Sequence, residues 1–419
     1  MGTTKTRAPP KAADSPDVLA RNIPAKTFIL DNGAYTMKAG YAPGSGSEEA
    51  LSACTSIPNA LVKTRDNRIV IGSQLSTNVS DWNEAMFRRP VEKGYLVNWE
   101  AEREIWEQSF FDDKATALNK NLRITAPEDT TLVLTEAPNA MPALQKNTDE
   151  MVMEEWGFGG YVRCLGKGFV EDFLRVDADI YSIAPTMNAW NDVHSLFGDT
   201  LSGGADAEIL PKDCLLVVDS GYSHTTVTPV YKGQALQRAI RRLDIGGKHL
   251  TNYLKEIVSM RQYNMVDETY IMNEVKEAVC FVSNDFNGDL ERTWRAKGRH
   301  QAASEEGVVL DYVLPDPNAG KKGFTRPHDP LLHAKKKKGA LSGLSADVLS
   351  EDVLVLGNER FTAPELLFTP GDIGMQSAGI PDMILQSLSV LPPGLHAAFL
   401  ANVLVVGGNA AIPGFMERL

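Results

Sequence analysis

Two stretches of this 419-residue chain combine an acidic residue, a glycine and flanking β-rich runs, residue types suited to handling phosphate. In 215–230, LLVVDSGYSHTTVTPV, the apolar run 215–218 ends at Asp219, Ser220 and Gly221, and β-branched chemistry resumes at Thr225. A glycine at such a turn lets backbone N–H groups approach a phosphate closely, and a carboxylate ending a buried strand can hold a metal ion's water shell. Alone, D-S-G is an ordinary turn tripeptide. The stretch 28–41, FILDNGAYTMKAGY, repeats the device with Asp31, Asn32 and Gly33 after another apolar run. Two such hairpins about one domain-length apart predict an internally duplicated α/β protein that holds a nucleotide's phosphates between its halves.

The elements that position these turns follow from pattern. The run 215–218 reads as a strand buried on both faces. Asn98 is placed to cap a helix, with Glu100, Glu102 and Glu104 suiting its positive end and Ile105, Trp106 and Phe110 forming its apolar stripe. A buried strand is expected at 131–135, helical spacing at 144–156, and another strand at 161–164. Two amphipathic helices are expected at 245–260 and 269–282, the first opened by Gly246 and Gly247. Alternation over 54–72 suggests a small appended β unit. The stretch 403–413 is a third apolar strand entering a glycine pair, with a helix beginning at Phe415. Residues 1–25 read as a disordered leader, and 184–211 and 288–349 as loops or insertions. The run Lys335–Lys338 reads as a nuclear-localisation or DNA-contacting patch or, equally, as a solvated loop.

With 43% hydrophobic residues the chain can bury a large core and fill two or more domains. Its net charge of -12 argues against nonspecific nucleic-acid binding by the whole surface and leaves room for a local basic patch. Cys54, Cys164, Cys214 and Cys280 are scattered, without C-x-x-C spacing, which fits a reducing compartment. No apolar run approaches the roughly 20 residues of a membrane helix, so a soluble protein with no membrane partner is expected.

The blocks LDNGAYTMKAGY, RPVEKGYLVNWE, VLTEAP, VVDSGYSHTTVTPVY, RRLDIGGKHLTNYL, VKEAVCFVSNDF, GNERFTAPELLFTPGDIGMQSAGIP and VVGGNAAIPG occur in an order that resembles actin and the actin-related proteins, over about 26–419. Tyr35, Tyr222 and DYVLPDPNAGKKGF at 311–324 most resemble one subfamily of the actin-related proteins, that of a chromatin-remodelling subunit. The resemblance implies an actin/Hsp70/sugar-kinase-like α/β fold, two lobes around a nucleotide cleft. The first lobe would hold 26–55 and 90–211 as subdomain 1, with an insertion near 175–211, and 56–89 as subdomain 2. The second would hold 212–245 and 377–419 as subdomain 3 and 246–376 as subdomain 4, with an insertion near 288–350. It also implies ATP or ADP with magnesium as a structural ligand. Asp31, Asn32, Gly33 and Lys38 match its first phosphate loop and Asp219, Ser220 and Gly221 its second. Gly247, Lys276 and Glu277 would lie near ribose and adenine, and Gly407, Gly408 and Asn409 would form a third loop. Asp31 and Asp219 would hold magnesium through water. The family continues beyond the block matching 403–419 with a part that completes the first lobe, so the resemblance implies either a truncated chain or a partner that replaces that surface.

Departures from the family bear on hydrolysis. Ala34 replaces a hydroxyl, Tyr35 a glycine, Tyr222 an acidic residue and Thr226 a histidine, while Leu165 aligns with the glutamine that orients water; His224 is displaced from the histidine's place. Phosphoryl transfer rests on positioning and charge stabilisation, so little or no ATPase activity is expected. Either ATP remains as a structural ligand or Tyr35 fills the phosphate pocket. The implied role is a nuclear, non-catalytic scaffold in a Swr/SRCAP-type chromatin-remodelling complex that exchanges a variant histone into nucleosomes. Its partners would be the motor and other subunits, with nucleosomal DNA and histones, and Phe324, His328, Leu331 and Leu332 are candidate anchors. The alternatives are a filament-forming actin-like ATPase, which the altered 42–61 region opposes, and a sugar kinase, for which no carboxylate stands out as base.

Overall fold

The computed structural model describes residues 24, 26–42, 54–75, 82, 85–113, 120–138, 140–164, 214–232, 234–295, 308–316, 321–330 and 351–419. The expected leader but for residue 24, Leu165, the insertion at 175–211, Leu331, Leu332 and Lys335–Lys338 lie outside the described residues.

Phe28, Ile29 and Leu30 are fully buried, so the first apolar run has both faces covered, as a central strand requires. It forms β1 (Lys26–Asn32), antiparallel to β2 (Thr36–Tyr41), with Asp31 opposite Lys38. β9 (Thr130–Thr135) runs parallel to β1, β10 (Gly160–Cys164) parallel to β9, and β3 (Thr55–Pro58) covers the outer edge of β2. The second apolar run forms β11 (Cys214–Ser220), antiparallel to β12 (Thr225–Tyr231), with Asp219 opposite Thr226. β18 (Val403–Val406) runs parallel to β11. Each hairpin therefore carries its acid at the same register, with a parallel strand beside it. The architecture is the duplicated α/β arrangement expected from the sequence. β13 (Gln234–Ala235) and β14 (Arg241–Leu243) extend β12.

Asn98 caps helix α1 (Trp99–Trp106) by accepting from the Ala101 N–H at 3.1 Å, and α1 runs on into a π-helical turn (Glu107–Phe111). Ile105, Trp106 and Phe110 pack beneath the first sheet. Helix α2 (Pro142–Glu150) follows the strand-ending turn of β9. Helices α3 (Gly247–Arg261) and α4 (Thr269–Val279) bury Leu254, Val258, Met272 and Val275 in a shared core.

The region 288–349 departs from the expectation of an exposed insertion. Its described part contains helix α5 (Phe286–Arg295) and the strands β15 (Leu310–Val313) and β16 (Phe324–Pro327), with β17 (Val353–Leu356) on the other side of β15. Four-residue strands are too short to show a period, but Tyr312 and Leu354 seal the core under α3 and α4. His328 is likewise not an exposed anchor: it is buried, with Nδ1 2.7 Å from Oδ1 of the fully buried Asp311. Phe324 is 47% exposed.

The stretch 54–72 is not one appended unit. β3 belongs to the first sheet, whereas β4 (Leu61–Lys63) pairs with β5 (Ile69–Ile71) and β6 (Met86–Arg88) in a separate small sheet. β7 (Val91–Glu92) and β8 (Tyr95–Leu96) form a tight hairpin whose corner, Lys93 and Gly94, has φ of 49° and 79°. Helices α6 (Glu359–Glu365), α7 (Ile380–Ser389) and α8 (Pro393–Leu400) complete the second half, and Phe368, Phe399 and Phe415 fill its core. Among the described residues no helix is long and apolar enough to cross a membrane.

Candidate functional site

The two acids end adjacent hairpins and sense each other electrostatically. Thr135 Oγ1 donates to Asp31 Oδ1 at 2.7 Å and Lys38 Nζ lies 3.4 Å from Asp31 Oδ2, so Lys38 is engaged with its strand partner. Burial, and then the Asp31 carboxylate, push the Asp219 carboxyl up to about 7, against the pull of Lys38. Among the described residues no three His, Cys, Asp or Glu side chains gather as a metal site, and the expected magnesium pair is these two carboxylates alone.

Beneath the first turn, Asn59 Nδ2 donates to the Gly33 carbonyl at 3.0 Å. Glu102, near Asn32 and Asn59, is fully buried, and its carboxylate accepts from Trp106 Nε1 at 2.8 Å. Glu102 thus serves the core rather than only the helix dipole. Burial pushes its carboxyl up to about 7, with the Asn32, Trp106 and Asn59 donors opposing.

The other expected residues converge on the second hairpin. Asn409 Nδ2 donates to Ser220 Oγ at 3.1 Å and to the Gly221 carbonyl at 2.8 Å. Gly407 has φ of 96°, and a Cβ there would meet the Ser220 carbonyl oxygen at 2.2 Å, so only glycine fits. Gly408, beside it, is exposed. The Gly247 and Lys248 N–H groups opening α3 donate to the Gly221 and Tyr222 carbonyls at 3.0 and 2.8 Å. Lys276 is buried and its ammonium donates to Asn273 Oδ1, Thr251 Oγ1 and the Gly247 carbonyl at 2.9, 3.2 and 3.3 Å. Glu277 Oε1 accepts from Asn273 Nδ2 at 2.7 Å.

Between the hairpins stands an aromatic and cationic cluster. The Tyr35 and Tyr222 rings, one from each turn, have centroids 4.8 Å apart. The Arg89 guanidinium lies 4.4 Å from the Tyr35 ring and 5.3 Å from the Tyr222 ring. Its Nη1 donates to the carbonyls of Tyr35 and Asn59 at 3.2 and 3.1 Å. The Tyr35 hydroxyl accepts from Asn273 Nδ2 at 3.0 Å, and burial pushes its phenol up to about 12. His224 stands aside from this cluster, against Gly94 of the β7–β8 corner.

A family model described as Actin matches residues 23–419 of this sequence. The chain belongs to the actin family. It is 68% identical to the actin-like protein arp6 of Aspergillus fumigatus and 66% identical to that of Emericella nidulans, matching all of this chain and 86% of each relative. It is 33% identical to actin-related protein 6 of Dictyostelium discoideum over 97% of this chain and 84% of that one. These identities place it in the actin-related protein 6 branch of the actin family.

Measured against an actin-family nucleotide cleft, the expected residues come together, but several of their polar groups are already committed. Lys276 spends its three donors on protein acceptors, Asn273 bonds Tyr35 and Glu277, and the first N–H groups of α3 are taken by the second hairpin. Tyr35 lies across the space that leads from the phosphate turns to Lys276 and Glu277. The described residues therefore do not fit a nucleotide as arranged. Sequence reading missed Arg89, Asn273 and Asn59, and gave Glu102 only a place at the helix dipole. The arginine pair before Pro90 carries no motif of its own, and an asparagine inside an amphipathic helix gives no local sign of a distant partner.

Proposed function

We propose that this actin-family chain is a non-catalytic scaffold subunit of a nuclear Swr/SRCAP-type chromatin-remodelling complex, joining the motor to other subunits and to nucleosomal DNA and histones. One observation carries the non-catalytic part: Tyr35, Arg89 and Tyr222 occupy the place between the two phosphate turns. Hydrolysis needs a water held in line with the terminal phosphate and donors for the charge that spreads onto it. Two tyrosine rings packed against each other, with a partly buried guanidinium facing both, take up the place where such a water and such donors would stand. The scaffold part is supported by the likeness, over nearly the whole of this chain, to proteins named actin-like protein arp6 and actin-related protein 6, and a fold with its chemistry removed still offers surfaces to partners.

The test is to purify the tagged full chain from nuclear extract, identify what accompanies it by mass spectrometry, and follow phosphate release after adding magnesium and ATP. Recovery of a Swr-type motor subunit, with phosphate release no faster than the buffer control, is the expected result. Recovery as a polymer with brisk ATP turnover would overturn the proposal in favour of a filament-forming ATPase.

A further inference from the structure

The cleft is bridged from inside at two levels. At the lower level Tyr35, on the turn of the first hairpin, meets Tyr222 on the turn of the second and reaches Asn273 on α4. That path begins at a phosphate turn and ends beside Lys276 and Glu277, the residues an actin-family nucleotide would meet at its sugar and base. One side chain thus traces the course of the ligand. At the upper level, Trp82 stacks on Tyr270 with centroids 3.8 Å apart, and Phe87 of β6 lies parallel to Tyr270 at 5.9 Å. Tyr270 and Asn273 are three residues apart on α4 and so share a face. The small sheet and the first hairpin are therefore tied to the same face of one helix in the other lobe.

Arg89 joins the two levels. It follows β6, and its guanidinium faces the rings of Tyr35, Tyr222 and Phe87. A guanidinium satisfied by ring faces and carbonyls holds the turns together as a bound phosphate group would, with the attraction supplied by the protein.

We propose that Tyr35, Arg89 and Tyr222 replace the nucleotide: they clasp the lobes from within, so that the folded chain needs neither ATP nor ADP and admits neither. This deepens the scaffold reading and rests on its assignment of this cleft.

The experiment uses the full chain, wild type and Tyr35→Gly, which restores the residue the family carries there. Protein-bound nucleotide is released by denaturation and quantified, and thermal unfolding is followed with and without Mg-ATP, Mg-ADP or magnesium phosphate. Wild type should release only traces of nucleotide, and its Tm should not move with any of the three. Tyr35→Gly should melt lower without ligand and then gain roughly 5 °C with Mg-ATP or Mg-ADP at a hundredfold excess over Kd. One equivalent of nucleotide in wild type, or a wild-type Tm raised by Mg-ATP, would overturn the proposal. Should Tyr35→Gly fail to fold, Tyr35→Phe and Asn273→Ala decide. Each should lower the ligand-free Tm, with the double variant no lower than the worse single one. Unchanged melting in both would sink the clasp. The two readings fail separately: bound but unhydrolysed ATP removes the clasp and leaves the scaffold, whereas a nucleotide-free chain without a motor subunit does the reverse.

Discussion

Asn273 Nδ2 reaches the Tyr35 hydroxyl at 3.0 Å across a separation of 238 residues. The same amide nitrogen bonds Glu277, and the Asn273 carbonyl oxygen accepts from both Lys276 and Thr251. Asn273 is thereby the hub through which the first hairpin contacts the α3–α4 pair. Each of its polar atoms is satisfied by protein, which is what a buried amide requires.

Arg89→Lys should be far from conservative. The guanidinium donates to two carbonyls from one nitrogen while facing three aromatic rings, a geometry an ammonium cannot reproduce. A loss of about 2 kcal/mol is expected. Urea unfolding should show a lower midpoint at an unchanged slope. A midpoint equal to wild type would mean that the point charge alone suffices.

Glu102 gives the chain a defined pH response. Its carboxyl rises from an ordinary 4.5 to about 7 in the folded protein, chiefly through burial. A carboxyl with a raised folded pKa contributes stability that is complete below the unfolded value and is lost as pH rises through the folded one. Stability should therefore decline between about pH 4.5 and pH 7, by on the order of 3 kcal/mol from this group. Glu102→Gln should flatten that limb in a series of denaturant midpoints. An unaltered slope in the variant would assign the limb to other groups.

Much of the frame is legible in the sequence, for identifiable reasons. Leu215–Val218 can only be a strand covered on both faces, Asn98 followed by acids announces a cap, and the D-N-G and D-S-G turns repeat at equal register. What escapes is nonlocal or compensated. Asp311 looks like a surface acid, yet it is fully buried beside His328 and Arg326. Glu102 looks like a dipole partner but sits under Trp106. Tyr35 is visible as an intruder in a phosphate turn, while its partners Arg89 and Asn273 belong to segments that no spacing connects to it.

Lys321 and Lys322 sit near the tip of the β15–β16 hairpin, and both are exposed. If this hairpin meets nucleosomal DNA, each lysine neutralises a phosphate and releases counterions. The slope of log affinity against log salt should then fall by about 0.9 for each lysine changed to Ala. Fluorescence anisotropy with duplex DNA across a salt series measures it. Equal slopes for wild type and Lys321→Ala/Lys322→Ala would remove this hairpin from the DNA-facing surface.

The β7–β8 corner locks onto the second hairpin through Gly94 and His224. Gly94 has φ of 79°, and a Cβ there would stand 2.2 Å from His224 Cε1. Nearby, Arg242 Nη2 donates to the Lys93 carbonyl at 2.5 Å, fixing the corner against β14. Gly94→Ala should cost about 2 kcal/mol, part from the left-handed backbone and part from the collision with the ring. Adding His224→Ala removes the ring and should recover the collision part alone, so the double variant should be more stable than the sum of the single losses implies. The ring also titrates: burial lowers His224 from 6.5 to about 4, so its contribution is full above the unfolded value and is lost as pH falls from 6.5 toward 4. Wild type should show that acid limb and His224→Ala should lack it. Strict additivity of the two substitutions would mean that the corner's backbone, and not the histidine it presses on, sets the cost.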